Sequence, residues 1–356
     1  MDSARIIQQV RRRIINQDEA LDQLEEALLI AEAGLNDPRK PLGVLLFVGP
    51  TGVGKTETVR ALAEAIHGSA DAYCRIDMSG LSESHYAASL AGSPPGYVGS
   101  QEDETLFNRA KIEGEPGKPG ILLLDEIEKA HASVHQSLLQ VFDNAHLRLA
   151  NGKTEISFTN TLIVMTSNVG SDELRNLAEN RRLGFQAHTG TQIDPRNERN
   201  RVVERALSRQ FKPEFLNRID SVVVFQWLGH DDLRRILHGL IGDLNQRLVE
   251  NHGLTLELTP EAADFLIERG WDPKYGARPL KRALRRELYQ PLARSLLSRS
   301  WPAGEKLVAE RVDGIVRFRL AAPPPSLTVT APPRAISAWN NAETSSCRVR
   351  SADRFG

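Results

Sequence analysis

Val44-Leu45-Leu46-Phe47-Val48 runs directly into Gly49-Pro50-Thr51-Gly52-Val53-Gly54-Lys55-Thr56. The first five residues carry no polar break, the pattern of a strand buried on both faces of a parallel sheet. The next eight match GxxxxGK[ST]. Beyond them Val59, Leu62, Ala63 and Ile66 recur at the spacing of one helical face. Strand, glycine-rich turn and helix in that order make a phosphate cradle. Glycines let the backbone turn its N–H groups inward, and the helix N-terminus adds partial positive charge. Lys55 then reaches the β- and γ-phosphates of a nucleotide, and Thr56 offers its hydroxyl to Mg²⁺. The whole loop, Gly49, Pro50, Thr51, Gly52, Val53, Gly54, Lys55 and Thr56, is read as nucleotide-binding.

Four more apolar runs read as strands: Tyr73–Ile76, Ile121–Leu124, Thr161–Thr166 and Val222–Phe225. Helical stretches separate them, so the expected fold is a doubly wound α/β core. Ile121–Leu124 leads into Asp125-Glu126, and strand C-termini are where open α/β sheets bind ligands. There Asp125 holds Mg²⁺ and Glu126 deprotonates an attacking water. Asn168 follows another strand and reads either as a γ-phosphate partner or as a turn residue. Arg218 and Arg278 are ambiguous by themselves.

Past Gly229 the pattern changes. Leu233, Ile236, Leu237, Leu240, Ile241 and Leu244 form one helical face. Thr259-Pro260 caps and starts another helix. A basic helix is expected from Pro279 to Leu297 with a kink at Pro291, then strands at Lys306–Glu310 and Ile315–Leu320. From Ala321 on, proline runs and Ser/Thr/Asn-rich sequence predict a disordered tail. A polar connection is expected from Ser171 to Asn197. The expected division is a large domain over 1–228, a small, mostly helical one over 229–320, and a tail over 321–356.

The 356 residues carry a formal net charge of −1, so no global basic field draws the chain to nucleic acid or anionic membrane. No apolar run approaches the roughly 20 residues of a membrane span, and Met1–Arg13 reads as a polar helix rather than a signal region. Cys74 and Cys347, the only two cysteines, suit a reducing cytoplasm and neither a disulfide scaffold nor a zinc site.

Taken in order, Gly49–Thr56, Arg75-Ile76-Asp77-Met78-Ser79, Gly92–Gly99, Leu123–His131, Met165-Thr166-Ser167-Asn168, Phe215–Asp220 and Tyr275–Leu280 resemble the Clp ATPases, above all the second ATPase ring of the ClpB, ClpA and ClpC proteins. The resemblance covers about residues 5 to 320. It implies an AAA+ P-loop core, a five-stranded parallel sheet with flanking helices, followed by the small domain. It also implies a hexameric ring that hydrolyses ATP between subunits and pulls unfolded or aggregated polypeptide through its pore. Residue by residue, Asn168 falls at the first sensor, which hydrogen-bonds the γ-phosphate or the lytic water. Arg278 falls at the second sensor, and Arg218 at the arginine finger that reaches a neighbour's ATP. Ile14 and Ile15 fall beside adenine, where Asn16 replaces the family's usual glycine. Tyr97 and Val98 fall at the substrate-gripping pore loop. Leu183, Gly184 and Phe185 resemble the loop with which some members dock into a ClpP-like peptidase.

The chain also departs from the family. Ser100–Glu104 replaces an aromatic, acids and paired glycines. Phe142–His146 and Leu149-Ala150 lose glycine and acid residues, and one extra residue stands near Glu155. The family's N-terminal, first-ring and middle domains are not in this sequence, which suggests a minimal single-ring member or a fragment. Two other readings stay open: a stand-alone ClpB-like chaperone without a peptidase, and an AAA+ motor acting on nucleic acid. The near-neutral charge and the Gly-Tyr-Val-Gly loop favour protein substrate.

Overall fold

The computed structural model describes residues 1–83, 90, 105–149, 155–182, 194–272 and 276–321. The expected pore loop at Tyr97 and Val98, the loop Leu183-Gly184-Phe185 and the tail from 322 lie outside the described residues.

The large sheet contains the strands β1 (Gly43–Val48), β2 (Cys74–Asp77), β3 (Gly120–Asp125), β6 (Thr161–Ser167) and β7 (Ser221–Val224), in the order β2-β3-β6-β1-β7. Every neighbouring pair is parallel. Each strand expected in this region is present, with ends displaced by a residue or so. All six residues of β1 are buried, because helices cover both faces of the sheet. Strand periodicity decides which side each residue joins. Leu45 and Phe47 pack with α1 (Ser3–Arg13), α2 (Asp18–Glu32) and α3 (Lys55–His67), through Val10, Leu24 and Leu62 among others. Val44, Leu46 and Val48 pack on the other side with Val134, Leu138 and Phe215. At such fully buried positions, cutting a leucine back to alanine costs about 2–5 kcal/mol.

A third cluster of buried apolar side chains is drawn wholly from residues 233–316. It joins helix His230–His252, helix Pro260–Gly270 and the helices after Arg278 to a small sheet. That sheet has three strands in the order β10-β9-β8, with β8 at Thr255–Leu258, β9 at Lys306–Val312 and β10 at Ile315–Leu320. Sequence reading missed β8, since four residues with Leu256 buried between exposed Thr255 and Glu257 give too short a period to detect. It also missed the hairpin of β4 (His146–Arg148) and β5 (Glu155–Ser157).

One further expectation needs correction. The stretch Ser171–Asn197 is not one polar connection: Ser171–Arg182 is a helix whose Leu174 is buried, and a second helix starts at Pro195. Leu174 and the half-buried Leu177, among mostly charged and polar residues, give too short an apolar stripe to read. Just before Pro291, where a kink is expected, the helix opens into a π-helical turn over Arg285–Tyr289, in which the Gln290 N–H donates to the Arg285 carbonyl. The wider turn accommodates a proline ring that would otherwise press on the preceding turn. Helix Gln290–Ser298 then continues.

Candidate nucleotide site

Three parallel strands end side by side and deliver the expected residues to one edge of the sheet. Val48 is in register with Ser167 and Leu124 with Met165. The loop after β1, the acidic pair ending β3 and Asn168 after β6 therefore meet. Asp125, Glu126, Lys55, Asn168 and the loop Gly49–Thr56 all lie at this edge.

The loop has the backbone that its glycines allow. Gly49, Gly52 and Gly54 adopt φ of 149°, 80° and 115°. A side chain on Gly49 would also place its Cβ 2.7 Å from the Phe225 carbonyl oxygen. Helix α3 begins at Lys55, so its first backbone N–H groups face the loop.

Lys55 is buried, with its ammonium donating to the carbonyls of Gly49 and, at 2.8 Å, Pro50, and to Asn168 Oδ1 at 2.9 Å. Burial pushes its pKa down to about 8, against the opposing pull of Glu128, Asp125 and Glu126. A desolvated cation capping main-chain carbonyls is poised for an anionic partner.

Asp125 is buried and fully engaged. Thr166 Oγ1 donates to its Oδ1 at 2.5 Å, and Arg75 Nη2 donates to its Oδ2 at 2.6 Å. Thr166 Oγ1 also accepts from the Glu126 N–H at 3.0 Å. Glu126 itself stands at φ 57° and ψ 53°, a left-handed conformation for a non-glycine residue. Such a conformation costs on the order of 1–3 kcal/mol and persists where the surroundings enforce it, commonly at sites of chemistry. Here it turns the chain sharply into the short 3₁₀ turn Ile127–Lys129.

Sequence reasoning missed the residues that hold this array: Glu128, Arg75 and Thr166. Each belongs to a stretch that had been singled out, but nothing in the linear order shows that Arg75 reaches across from β2 to Asp125. Glu128 Oε1 accepts from the Asn168 backbone N–H at 3.1 Å and from its Nδ2 at 3.3 Å.

The region beyond Gly229 touches the phosphate loop directly. The Ala277 N–H donates to the Gly52 carbonyl at 3.2 Å. A Cβ on Gly276 would lie 3.0 Å from the Thr51 carbonyl oxygen. Arg278 is exposed at the start of helix Arg278–Leu284, one residue beyond this contact. Ile14 is buried in the core, while Ile15 lines a cleft of about 760 Å³ with Glu57, Ile236, Leu240 and Lys281. Asn16 adopts φ 55°, and its Nδ2 donates to Asp232 Oδ2 at 2.8 Å. Asparagine is the side chain that best tolerates the conformation a glycine would take there.

Arg218 lies elsewhere. It precedes β7, where Asp220 binds the start of β1: the Asp220 N–H donates to the Val44 carbonyl at 2.9 Å and its Oδ2 accepts from the Val44 N–H at 2.7 Å. Arg218 pairs with Asp143 and lines a cavity of about 400 Å³ with Lys40 and Asn217. The phosphate loop leaves the other end of β1, roughly 17 Å away at the strand rise per residue.

The geometry fits a nucleotide with a hard divalent cation. Left-handed glycines shape the cradle, a buried lysine faces it, and Thr56 and Asp125 supply oxygen ligands of the kind Mg²⁺ prefers. Comparison with known proteins agrees. A family model described as AAA domain (Cdc48 subfamily) matches residues 40–222. The chain belongs to the Clp group of AAA+ ATPases. A second model, the C-terminal D2-small domain of ClpB protein, matches residues 228–309. The "ATP-dependent protease ATP-binding subunit-like protein AmiB" of Pseudomonas aeruginosa is 45% identical over 302 residues, spanning 85% of this chain and 81% of its own length. Chaperone protein ClpB 1 of Synechocystis is 41% identical over 87% of this chain and 32% of its own. The "ATP-dependent Clp protease ATP-binding subunit ClpC" of Staphylococcus aureus is 40% identical over 85% of this chain and 36% of its own. The chain thus spans about a third of the ClpB and ClpC relatives. Among the described residues no helix is long and apolar enough to cross a membrane.

Proposed function

We propose that this Clp-type ATPase hydrolyses ATP at the interfaces of a homo-oligomeric ring, a hexamer by family resemblance, and threads polypeptide through its centre. The observation that carries the interface reading is the position of Arg218. It stands at the N-terminal ends of the parallel strands, whereas Lys55, Asp125 and Asn168 stand at the C-terminal ends. Arg218 is too far from its own phosphate loop to act there. A head-to-tail ring would bring it to the phosphate edge of the next subunit, where an arginine stabilises transferring phosphoryl charge.

Within one subunit the roles divide as follows. Gly49–Thr56 cradles the phosphates through backbone N–H groups. Lys55 gives up the Gly49 and Pro50 carbonyls for phosphate oxygens. Glu126 takes the proton of the attacking water, and Asn168 orients that water or the γ-phosphate. Thr56 and Asp125 would hold Mg²⁺, which supplies neutralising charge to the phosphates; Asp125 gives up Arg75 to do so. Ile14 and Ile15 wall the adenine. Arg278 senses the nucleotide from the small domain, whose preceding residues already rest on the loop.

The proposed division is an ATPase domain over 1–228 and a small domain over 229–320, acting in the cytoplasm. The direct contact of Ala277 with Gly52 supports coupling of nucleotide state to small-domain position. Tyr97 and Val98 grip the substrate. The names of two relatives describe ATP-binding subunits of proteases, which supports a ClpP-like peptidase as partner through Leu183-Gly184-Phe185. ClpB relatives support the stand-alone chaperone equally. The test of the interface reading is mixing. Arg218→Ala should bind ATP yet fail to hydrolyse it in the assembled ring, and adding Lys55→Ala subunits, which still carry Arg218, should restore part of the turnover. Normal turnover by Arg218→Ala alone would refute the trans-acting role.

A further inference from the structure

Glu128 is the residue whose arrangement the reaction described so far does not use. The left-handed turn at Glu126 and the 3₁₀ turn after it swing Glu128 back to the end of β6. Its Oε1 accepts both the backbone N–H and the side-chain Nδ2 of Asn168. On the other side, Lys55 Nζ and Thr51 Oγ1 donate to Asn168 Oδ1 at 2.9 and 3.3 Å. An ammonium only donates and a carboxylate only accepts, so chemistry alone fixes which way this amide points. The nitrogen faces Glu128 and the oxygen faces the phosphate loop. The Glu128 backbone is tied as well, its carbonyl accepting from Gln210 Nε2 at 3.3 Å. Its second carboxylate oxygen is buried without a hydrogen-bond partner among the described residues. Leaving such an oxygen unpaired has a cost, tolerable only if the other oxygen has something to hold.

We propose that Glu128 is a positioning residue that clamps Asn168 with its amide oxygen turned into the site, so that Asn168 accepts a hydrogen from the attacking water rather than donating to the γ-phosphate. Two acceptors repel, so an inward-facing amide oxygen cannot bind a phosphate oxygen, whereas a water hydrogen suits it. This rests on the reading of Asn168 as a residue of the hydrolytic site, and it decides between the two roles that reading allows.

The experiment is a double-mutant cycle on the full chain: parent, Glu128→Ala, Asn168→Ala and the double variant, with Glu128→Gln alongside. Steady-state ATPase gives kcat, and a fluorescent ATP analogue gives Kd. Loss of a hydrogen bond to a charged group corresponds to about a 10- to 100-fold drop in kcat, with Kd changing less than about threefold. Glu128→Gln keeps an acceptor oxygen and should recover most of the loss; it also serves if the alanine variant does not fold. The double variant should be no slower than Asn168→Ala, because the two residues act as one unit. Parent-like kcat for both Glu128 variants overturns the proposal. So do losses that multiply in the double variant, or a Kd that rises in step with the fall in kcat. If Asn168→Ala itself turns over normally, the underlying site reading fails; if only the Glu128 variants do, that reading survives.

Discussion

Burial of Lys55 makes a quantitative demand on the nucleotide-free protein. Its pKa falls from 10.5 to about 8, with desolvation as the main cause. The folded-state value lies below the unfolded one, so between these two values the unfolded chain holds a proton that the folded chain has released. Stability must therefore rise with pH across that window. At about 1.4 kcal/mol per pKa unit the full swing is on the order of 3 kcal/mol, most of which falls between pH 7 and 10. Other groups titrate there too, so the comparison is with Lys55→Met, which keeps the length and removes the charge. Urea unfolding of both proteins at pH 7, 8, 9 and 10, without nucleotide, should show the parent gaining about 2–3 kcal/mol relative to the variant. A difference between the two that stays constant over this range would refute a desolvated Lys55. The same linkage reaches binding. Bound phosphates favour the charged ammonium, so ATP affinity of the parent should weaken above pH 8, by up to about tenfold per pH unit.

Lys55→Ala should abolish ATP binding, whereas Glu126→Gln should bind normally and stop turning over; near-normal turnover by Glu126→Gln would remove it as the base. Tyr97→Ala should hydrolyse ATP at the parent rate yet lose unfolding of a tagged fluorescent protein, and equal unfolding rates would reject the pore assignment. With a ClpP-like peptidase, the parent should stimulate ATP-dependent degradation of an unfolded reporter and Leu183→Ser/Phe185→Ser should not. Absent stimulation, or the same stimulation by the double variant, would leave a stand-alone chaperone.

The central strands β1, β3 and β6 were legible because each is buried on both faces, which leaves an apolar run no other element of that length explains, whereas in the edge strands β2 and β7 buried residues stand beside exposed or half-buried ones. The phosphate loop was legible because its glycines, lysine and threonine are neighbours in the chain as well as in space. What brings Arg75 to Asp125, or Glu128 to Asn168, is the order of the strands. Ile76 lies opposite Leu124 and Leu124 opposite Met165 only once β2, β3 and β6 stand side by side. A charged residue next to a buried strand is a common sight in sequence, and its partner across the sheet is invisible there. Helix Ser171–Arg182 was lost for a different reason: its apolar face consists of the buried Leu174 and the half-buried Leu177, too few positions for a helical period to register.

Two positions within stretches that lack the family's glycines show how far a motif departure bears on structure. Asn16 and Ala145 both adopt left-handed backbone, at φ 55° and 51°. Asn16 is exposed and belongs to the residue type most at ease there after glycine, so the backbone after Ile15 keeps its course at little cost. Ala145 has no such excuse: a left-handed non-glycine residue costs roughly 1–2 kcal/mol. Yet its methyl is fully buried, returning about 0.8 kcal/mol. Its N–H and carbonyl are both bonded, to Val141 at 2.9 Å and from Phe158 at 2.7 Å. The helix-ending turn that carries Asp143 to Arg218 therefore forms without the glycine. Loss of a family glycine counts against a function only where a side chain would strike something, as at Gly49 against Phe225, and this chain keeps its glycine there.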